Sequence, residues 1–261
     1  MDVNTIYNEN CIETMARMPD GFVDLTVTSP PYDNLRKYNG YEFDFEPIAR
    51  ELYRVTKKGG VVVWVVGDAT INGSETGTSF RQALYFKEIG FNLHDTMIYL
   101  KQNPVPLTHN RYEQCFEYMF VCSKDRPRAF NPLTESTSTI GSIYRGSQKK
   151  TDASGDYATR IRDEFTQVQE NKYRRNAFSY VVGNCETGHH PAPMPEALAR
   201  DHILSWSNEN DLVYDPFMGS GTTAKAAHQL KRRWIGSEIS SEYVELANKR
   251  LEPYLAQGTL F

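Results

Sequence analysis

Continuous apolar runs and segments with helical spacing of apolar residues alternate along this chain, and their alternation predicts a sheet covered by helices. The uninterrupted apolar runs at residues 61–66 and 212–214 are typical of strands buried on both faces of a parallel sheet. Residues 45–55 instead have helical spacing, and Lys58-Gly59-Gly60 ends that pattern. We therefore expect an α/β fold with a doubly wound sheet, whose ligands bind at the carboxyl ends of the strands.

The same patterns predict further elements. Strands are expected at residues 23–28, 95–100, 115–122 and 234–239, and helices at residues 80–90 and 224–230. The strands at 95–100 and 115–122 are expected to form a hairpin at one edge of the sheet. With 261 residues, the chain can bury one sizeable core and still carry an inserted smaller domain.

A rigid turn, called here the proline turn (residues 29–32), follows the predicted strand 23–28. Its sequence is Ser29-Pro30-Pro31-Tyr32, and two consecutive prolines can continue neither a strand ladder nor a helix. The prolines offer carbonyl acceptors without N–H donors, Ser29 adds a hydroxyl and Tyr32 adds an aromatic face. This combination suits a flat ligand with an amino group, such as a nucleobase taken out of its stack. The alternative is a proline-stiffened loop with a packing tyrosine.

A second candidate site, called here the glycine turn (residues 215–221), follows the predicted strand 212–214. Its sequence is Asp215-Pro216-Phe217-Met218-Gly219-Ser220-Gly221, and Thr222 and Thr223 lead into the next predicted helix. A strand, a glycine turn and a helix form half of a nucleotide-binding unit, although the third glycine of the dinucleotide fingerprint is absent. Glu238 follows about twenty residues later at the end of the next predicted strand, where an acid can accept both hydroxyls of a ribose.

Positive charge is concentrated in the middle of the chain. Residues 124–185 carry 11 basic and 7 acidic side chains, whereas the whole chain has a net charge of −4. The basic residues include Arg145, Lys149, Lys150, Lys172, Arg174 and Arg175, interleaved with polar residues and an aromatic. Such a segment can hold phosphates while polar side chains reach base edges, which indicates a nucleic-acid-recognition insert. A solvated polar insertion is the alternative.

Several other kinds of site are not expected. The four cysteines show no Cys-x-x-Cys spacing, which argues against structural zinc and disulfides. None of them follows a proline in a Pro-Cys turn, so attack on a ring carbon through a thiolate is not predicted. The pair His189-His190 lacks an acid or second histidine at i+4, so no metal site is predicted. No stretch approaches the length of a membrane span, and no leader opens the chain.

Together, these motifs resemble the DNA amino-methyltransferases that use S-adenosylmethionine, in the permuted group where the catalytic motif precedes the cofactor motif. The proline turn is similar to the catalytic motif and the glycine turn to the cofactor loop. The segment Gly236 to Glu238, followed by Tyr243, is similar to the ribose-binding segment. The resemblance covers roughly residues 3–68 and 185–252, and their order matches.

This resemblance implies a Rossmann-like methyltransferase sheet with an inserted target-recognition region, S-adenosylmethionine as cofactor and the following site residues. The implied catalytic residues are Ser29, Pro30, Pro31 and Tyr32. The implied cofactor-binding residues are Asn10, Cys11, Asp215, Phe217, Gly219, Ser220, Gly221, Thr222, Glu238, Ile239, His190 and Pro191. The family has an acid where this chain has Asn10, whose carbonyl oxygen can still accept a hydrogen bond from the adenine amine of the cofactor. The implied DNA-binding residues are the six basic residues named above.

The resemblance also implies the reaction. Serine before Pro-Pro favours the N4 amine of cytosine, whereas aspartate there favours the N6 amine of adenine, so N4-cytosine methylation is expected with N6-adenine as the alternative. A DNA-binding regulator without turnover is a third alternative, and RNA or a protein amide is a further substrate class. Duplex DNA is the expected partner. A cognate restriction endonuclease and a second copy of the chain, in a homodimer, are further partners that the resemblance allows. We expect a cytoplasmic protein that associates with the nucleoid through DNA.

The expected organisation has three segments. Residues 1–123 form the catalytic half of the methyltransferase domain, residues 124–185 form the target-recognition insert, and residues 186–261 form the cofactor-binding half.

Overall fold

The computed structural model describes residues 1–31, 43–104, 110–144, 147–151, 157–161, 166–167, 169–181 and 194–256. The chain divides into two compact units. Unit 1 comprises Met1–Asn131 and Asn176–Phe261, and unit 2 comprises Pro132–Arg175. Unit 2 lies within the predicted insert 124–185, but the residues that flank it on both sides belong to unit 1.

Unit 1 contains six helices and ten strands within the described residues. The helices are α1 (Cys11–Ala16), α2 (Phe45–Val55), α3 (Thr78–Glu88), α4 (Glu196–Trp206), α5 (Thr222–Gln229) and α6 (Ser241–Ala256). The strands are β1 (Thr5–Tyr7), β2 (Val23–Thr28), β3 (Thr56–Val66), β4 (Thr70–Ile71), β5 (Ser74–Glu75), β6 (Asn92–Lys101), β7 (Phe116–Ser123), β14 (Ala177–Tyr180), β15 (Leu212–Asp215) and β16 (Arg233–Ser237). Unit 2 supplies β8 (Thr134–Ser136), β9 (Ile143–Tyr144), β10 (Ser147–Thr151), β11 (Tyr157–Ile161), β12 (Thr166–Gln167) and β13 (Asn171–Tyr173).

Eight strands of unit 1 form one sheet in the order β1-β16-β15-β2-β3-β7-β6-β14. Strand β7 is antiparallel to both of its neighbours, and the remaining pairs are parallel. The connections β2-α2-β3 and β15-α5-β16 lead in opposite directions across the sheet, so right-handed crossovers place their helices on opposite faces. The doubly wound α/β fold predicted from the sequence is therefore confirmed. The change of direction falls between β15 and β2, where such sheets bind their ligands.

The hairpin of β6 and β7 exists, but the expectation that it forms an edge of the sheet is wrong. Strand β14 pairs in parallel with β6, with Ala177 opposite Ile98 and Tyr180 opposite Lys101. Only four residues long, β14 lies inside the stretch that the sequence assigned to the polar insert.

The core between the sheet and helices α2 and α3 is largely aromatic and aliphatic. Trp64 of β3 is fully buried against Phe45 and Phe86, at ring-centroid distances of 5.7 and 5.3 Å. Its indole Nε1 donates to Gln82 Oε1 at 2.9 Å, so the buried donor is satisfied. This packing fixes β3 and therefore β2 beside it, from which the proline turn emerges.

Unit 2 consists of small antiparallel pairs in its described residues. They are β8 with β13, β9 with β12 and β10 with β11. In the part of the chain that the structure describes, no helix is long and apolar enough to cross a bilayer.

Candidate active site at the carboxyl edge of the sheet

Three neighbouring parallel strands deliver the candidate residues to one edge of the sheet. Strand β2 ends at Thr28, β15 ends at Asp215 and β16 ends at Ser237. Because parallel strands share one direction, the residues that follow them gather at the same edge. The start of the proline turn, the glycine turn and Glu238 therefore lie at the same edge, after neighbouring strands.

One buried hydrogen bond connects the first two of these strands. Thr28 Oγ1 donates to Asp215 Oδ1 at 2.6 Å, and the backbone N–H of Phe217 donates to the same oxygen at 3.0 Å. Burial raises the pKa of the Asp215 carboxyl to about 6, and hydrogen bonds from Thr28, Thr223 and Phe217 partly offset that increase. Sequence analysis missed Thr28, because a threonine at the end of a β-branched strand gives no sign of a distant partner.

The proline turn is described as far as Pro31. Ser29 is partly exposed, Pro30 is buried and Pro31 is partly exposed. Ser29 is thus accessible, directly after the buried Thr28. The predicted role of Tyr32 falls on a residue outside the described ranges.

The two glycines of the glycine turn adopt left-handed backbone conformations, with φ of 52° at Gly219 and 82° at Gly221. Other residues rarely adopt such conformations, which explains the glycines locally. A Cβ added at Gly221 would also lie 3.1 Å from the Cβ of Ala247 on α6. The close approach at this glycine is therefore to another helix.

The remaining predicted residues of this turn are mostly inside the protein. Ser220 and Thr222 are 3% and 4% exposed. The ring of Phe217 packs against Phe43 at 5.7 Å and Trp64 at 6.2 Å, so its side chain belongs to the core. Because these side chains are buried or packed in the core, the backbone of the turn is the group best placed to face a ligand.

Glu238 holds the glycine turn to the segment that follows β16. Its Oε2 accepts the N–H of Gly219 at 2.8 Å and its Oε1 accepts the N–H of Ser240 at 2.9 Å. The residue is half-buried, and burial raises its pKa, with the backbone hydrogen bonds acting in the opposite direction. The N–H of Ile239 also acts on this carboxylate, but a carboxylate has about four lone-pair positions, so the backbone donors leave room for a ligand hydroxyl.

The segment of Glu238 is itself held by β1 and the residues after it. The N–H of Glu238 donates to the carbonyl of Tyr7 at 3.0 Å. Asn8 Nδ2 donates to the carbonyls of Glu238 and Ile239, at 2.9 and 3.1 Å. Ile239 is 47% exposed beside this contact. Asn8 was not predicted, since a polar residue two positions from a proposed site carries no pairing signal.

Asn10 and Cys11 begin helix α1. The side-chain oxygen of Asn10 accepts the N–H of Ile12 at 2.9 Å, which makes Asn10 the N-cap of the helix. Cys11 is 4% exposed, and burial raises the pKa of its thiol to about 12. In the structure, Asn10 therefore caps a helix and Cys11 is part of the interior.

A further acid, Asp68, lies just beyond the end of β3. Its carboxylate accepts the N–H of Ser79 at 2.9 Å and the hydroxyls of Ser79 and Thr76. It thereby caps α3, whose own N-cap residue is Gly77 without a side-chain cap. A cleft of about 450 Å³ adjoins it, lined by Gly67, Asp68, Thr70, Glu75, Asn110, Arg111, Tyr112, Glu113, Gln114, Phe116, Glu117 and Tyr118.

The predicted DNA-binding residues belong to unit 2. Lys172 and Arg175 are exposed and Arg174 is partly exposed on and after β13, and Lys172 Nζ pairs with Glu135 Oε1 at 3.3 Å across the β8–β13 pair. Lys149 and Lys150 lie on β10. The predictions at Arg145, His190 and Pro191 fall outside the described ranges. Among the residues described, no group of three or more metal-binding side chains occurs.

Comparisons with known proteins agree with this architecture. The family profile N6_N4_Mtase, described as DNA methylase, matches residues 23–249. Over 247 residues the chain is 53% identical to a protein from Bacillus amyloliquefaciens named orphan methyltransferase M.BamHII, covering 90% of this chain and 91% of that one. The crystal structure of the M1.HpyAVI-SAM complex has a TM-score of 0.64 and 26% identity, covering 95% of this chain and 98% of that one. The cytosine-N4-specific PvuII DNA methyltransferase has a TM-score of 0.70, covering 97% and 90%, and at 21% identity it shows the fold alone.

Proposed function

Because the chain belongs to the N6_N4_Mtase family of DNA methylases, we propose that it transfers a methyl group from S-adenosylmethionine to the exocyclic N4 amine of a cytosine flipped out of duplex DNA. The observation that carries this proposal is the adjacency of the proline and glycine turns. Thr28, which precedes Ser29, donates a hydrogen bond of 2.6 Å to Asp215, the first residue of the glycine turn. The proposed amine-binding and cofactor-binding groups thus flank one crevice at the switch point of the sheet.

The residues at this edge fit the cofactor that the family uses. Glu238 presents a half-buried carboxylate whose lone pairs are not all used by backbone N–H groups, and ribose hydroxyls need such an acceptor. S-adenosylmethionine, when bound, supplies the methyl group on a sulfonium centre. The expectation of this cofactor from the sequence is confirmed by the family and by the relative solved with it.

The reaction asks the protein to activate a poor nucleophile. The lone pair of an exocyclic amine is delocalised into the ring, so acceptors must draw its N–H groups out of the ring plane. We assign this task to Ser29 Oγ and the Pro30 carbonyl, which also stabilise the positive charge that develops on nitrogen. Tyr32 is proposed to stack on the flipped base and to offset part of the few kcal/mol that unstacking costs.

The choice of cytosine rests on Ser29. Serine in this position favours the N4 amine, whereas the family model and the name of the Bacillus relative specify no base. The order of the two turns, with β2 before β15 in the chain, supports assignment to the permuted group. Unit 2, with Arg174 and Arg175 at its surface, is proposed as the target-recognition region.

The proposal is tested by product analysis. The protein is incubated with labelled S-adenosylmethionine and mixed-sequence genomic DNA, which is then digested to nucleosides and analysed by mass spectrometry. Label in N4-methylcytosine is the expected result. Label in N6-methyladenine would overturn the base assignment alone, and no label in DNA despite cofactor binding would overturn the proposed function. The matched variant Ser29→Ala should lower methyl transfer by more than about tenfold with cofactor affinity near that of the wild type; an equal fall in cofactor affinity would remove Ser29 from its role.

A further inference from the structure

Two threonine hydroxyls join the strand that carries the proline turn to the strand and helix that carry the glycine turn. Thr28 Oγ1 of β2 donates to Asp215 Oδ1 at 2.6 Å. Thr223 Oγ1 of α5 donates to the carbonyl of Val27 at 3.3 Å. Both contacts are buried, and both cross from β2 to the cofactor side of the crevice.

These side chains act where the backbone ladder stops. Strands β15 and β2 pair at Val213 with Leu25 and at Tyr214 with Thr26, and their described pairing ends there. Thr28 lies two residues beyond the last pair. Beyond the ladder, the Thr28 hydroxyl holds the end of β2 to the end of β15, and the Thr223 hydroxyl holds it to α5, at the switch point where such sheets bind their ligands.

The neighbouring Thr26 shows that burial alone does not account for this contact. Thr26 and Thr28 lie two residues apart on β2, so their side chains point to the same face, and both are fully buried. The hydroxyl of Thr26 has no hydrogen-bond partner among the described residues, whereas that of Thr28 bonds to a carboxylate. Of these two buried hydroxyls, only that of Thr28 therefore bonds to a residue of the glycine turn in the described part of the chain.

We propose that Thr28 is a positioning residue for methyl transfer, whose hydroxyl sets the spacing between the proline turn and the glycine turn. This inference rests on the proposed roles of the two turns. In-line attack requires the amine and the methyl group to be aligned, and a misplacement of about 1 Å can cost about 100-fold in rate. Asp215 Oδ1 transmits the constraint, because it accepts the Thr28 hydroxyl and the N–H of Phe217 together.

The test compares three variants of the full chain. Thr28→Val removes the hydroxyl at nearly constant shape, Thr28→Ser restores it, and Thr26→Val removes the hydroxyl that has no partner. We expect Thr28→Val to lower kcat by about 10- to 100-fold with the KM and Kd for S-adenosylmethionine near wild type. Thr28→Ser should recover most of the rate, and Thr26→Val should match the wild type.

Several outcomes would overturn the inference. They are an unchanged kcat in Thr28→Val, an equal loss in Thr26→Val, a failure of Thr28→Ser to restore the rate, or a loss confined to cofactor affinity and melting temperature. If Thr28→Val does not fold, Thr28→Cys supplies a poorer donor of similar size, and an unchanged kcat in that variant would contradict the proposal.

A second readout does not depend on methyl transfer. Hydrogen exchange of residues 213–221 should be faster in Thr28→Val than in Thr26→Val, because the glycine turn loses one of its anchors. Equal exchange would overturn the inference even if the proposed function held. Conversely, finding N6-methyladenine as product would change the base assignment and leave the comparison of Thr28 variants intact.

Discussion

Replacing Glu238 with glutamine should weaken cofactor binding more than it weakens the fold. Glutamine keeps one oxygen and replaces the other with an NH₂ group. Of the backbone donors at Gly219 and Ser240, which lie 2.8–2.9 Å from the carboxylate, one then loses its acceptor and the other keeps only a neutral one. A hydrogen bond to a charged group contributes about 1.5–3 kcal/mol. Since glutamine also avoids the burial cost that raises the pKa of Glu238, we expect a net loss of about 1–2 kcal/mol in unfolding free energy.

The effect on affinity has a different source. If ribose hydroxyls donate to the Glu238 carboxylate, glutamine forfeits one of those bonds, so the Kd should rise by about 10- to 100-fold. Isothermal titration calorimetry with S-adenosylhomocysteine and its 2′-deoxyribose analogue measures this directly. Glu242→Gln, at an exposed position of the first turn of α6, is the matched control; it should leave affinity unchanged and lower the unfolding free energy by no more than the contribution of a helix-dipole interaction, about 0.3–1 kcal/mol.

The comparison of the two ligands separates direct contact from a disturbed turn. In the wild type, the 2′-deoxy analogue should bind more weakly, and in Glu238→Gln most of that difference should disappear. An undiminished difference between the two ligands in the variant would refute the ribose contact and leave Glu238 as a purely structural anchor.

Three further predictions address the turn, the buried acid and the insert. Gly221→Ala should lower the unfolding free energy by about 2 kcal/mol in urea titrations. The control is Gly73→Ala, because Gly73 has a similar φ of 80° but no atom within 4 Å of an added Cβ, so its loss should be smaller. Equal losses would contradict the packing argument. Burial raises the pKa of Asp215 in the folded state from 3.8 to about 6, so the folded state binds the proton more tightly than the unfolded state. The stabilisation from this proton is complete below about pH 4 and is lost as the pH rises through about 6. In urea titrations the wild type should therefore lose stability relative to Asp215→Asn over that range, and a constant difference would count against the raised pKa. Replacing Arg174 and Arg175 with glutamine should reduce the slope of log affinity for DNA against log salt by about one per arginine without changing the methylated base; an unaltered slope would remove them from the DNA interface.

The sequence predicted the elements with strong local signals. The apolar run 61–66 lies in β3, the spacing of residues 45–55 matches α2, and the predicted turns follow β2 and β15. These signals succeed because periodicity and proline or glycine content act within a few residues. Strand β3 begins five residues earlier than the run, at Thr56. Thr56 pairs with Val23 of β2, and this backbone pairing leaves no apolar pattern in the sequence.

Features that depend on distant partners were not predictable. The bond from Thr28 to Asp215 spans 187 residues and the bond from Asn8 to Glu238 spans 230. Nothing in the local sequence distinguishes Thr28 from Thr26, although only the former finds a partner among the described residues. Likewise, α3 takes its cap from Asp68, eleven residues before Ser79.

The pairing of β1 with β16 makes the site a late product of protein synthesis. Tyr7 and Asn8 leave the ribosome early, but the backbone groups that they hold, at Glu238 and Ile239, are added 230 residues later. Until then the carbonyl of Tyr7 and the amide of Asn8 must be satisfied by water, and closing so long a loop carries an entropic cost that slows folding. The residues of the proline turn are therefore synthesised long before the proposed ribose-binding segment can be held in place, so this arrangement is complete only after translation has passed residue 239.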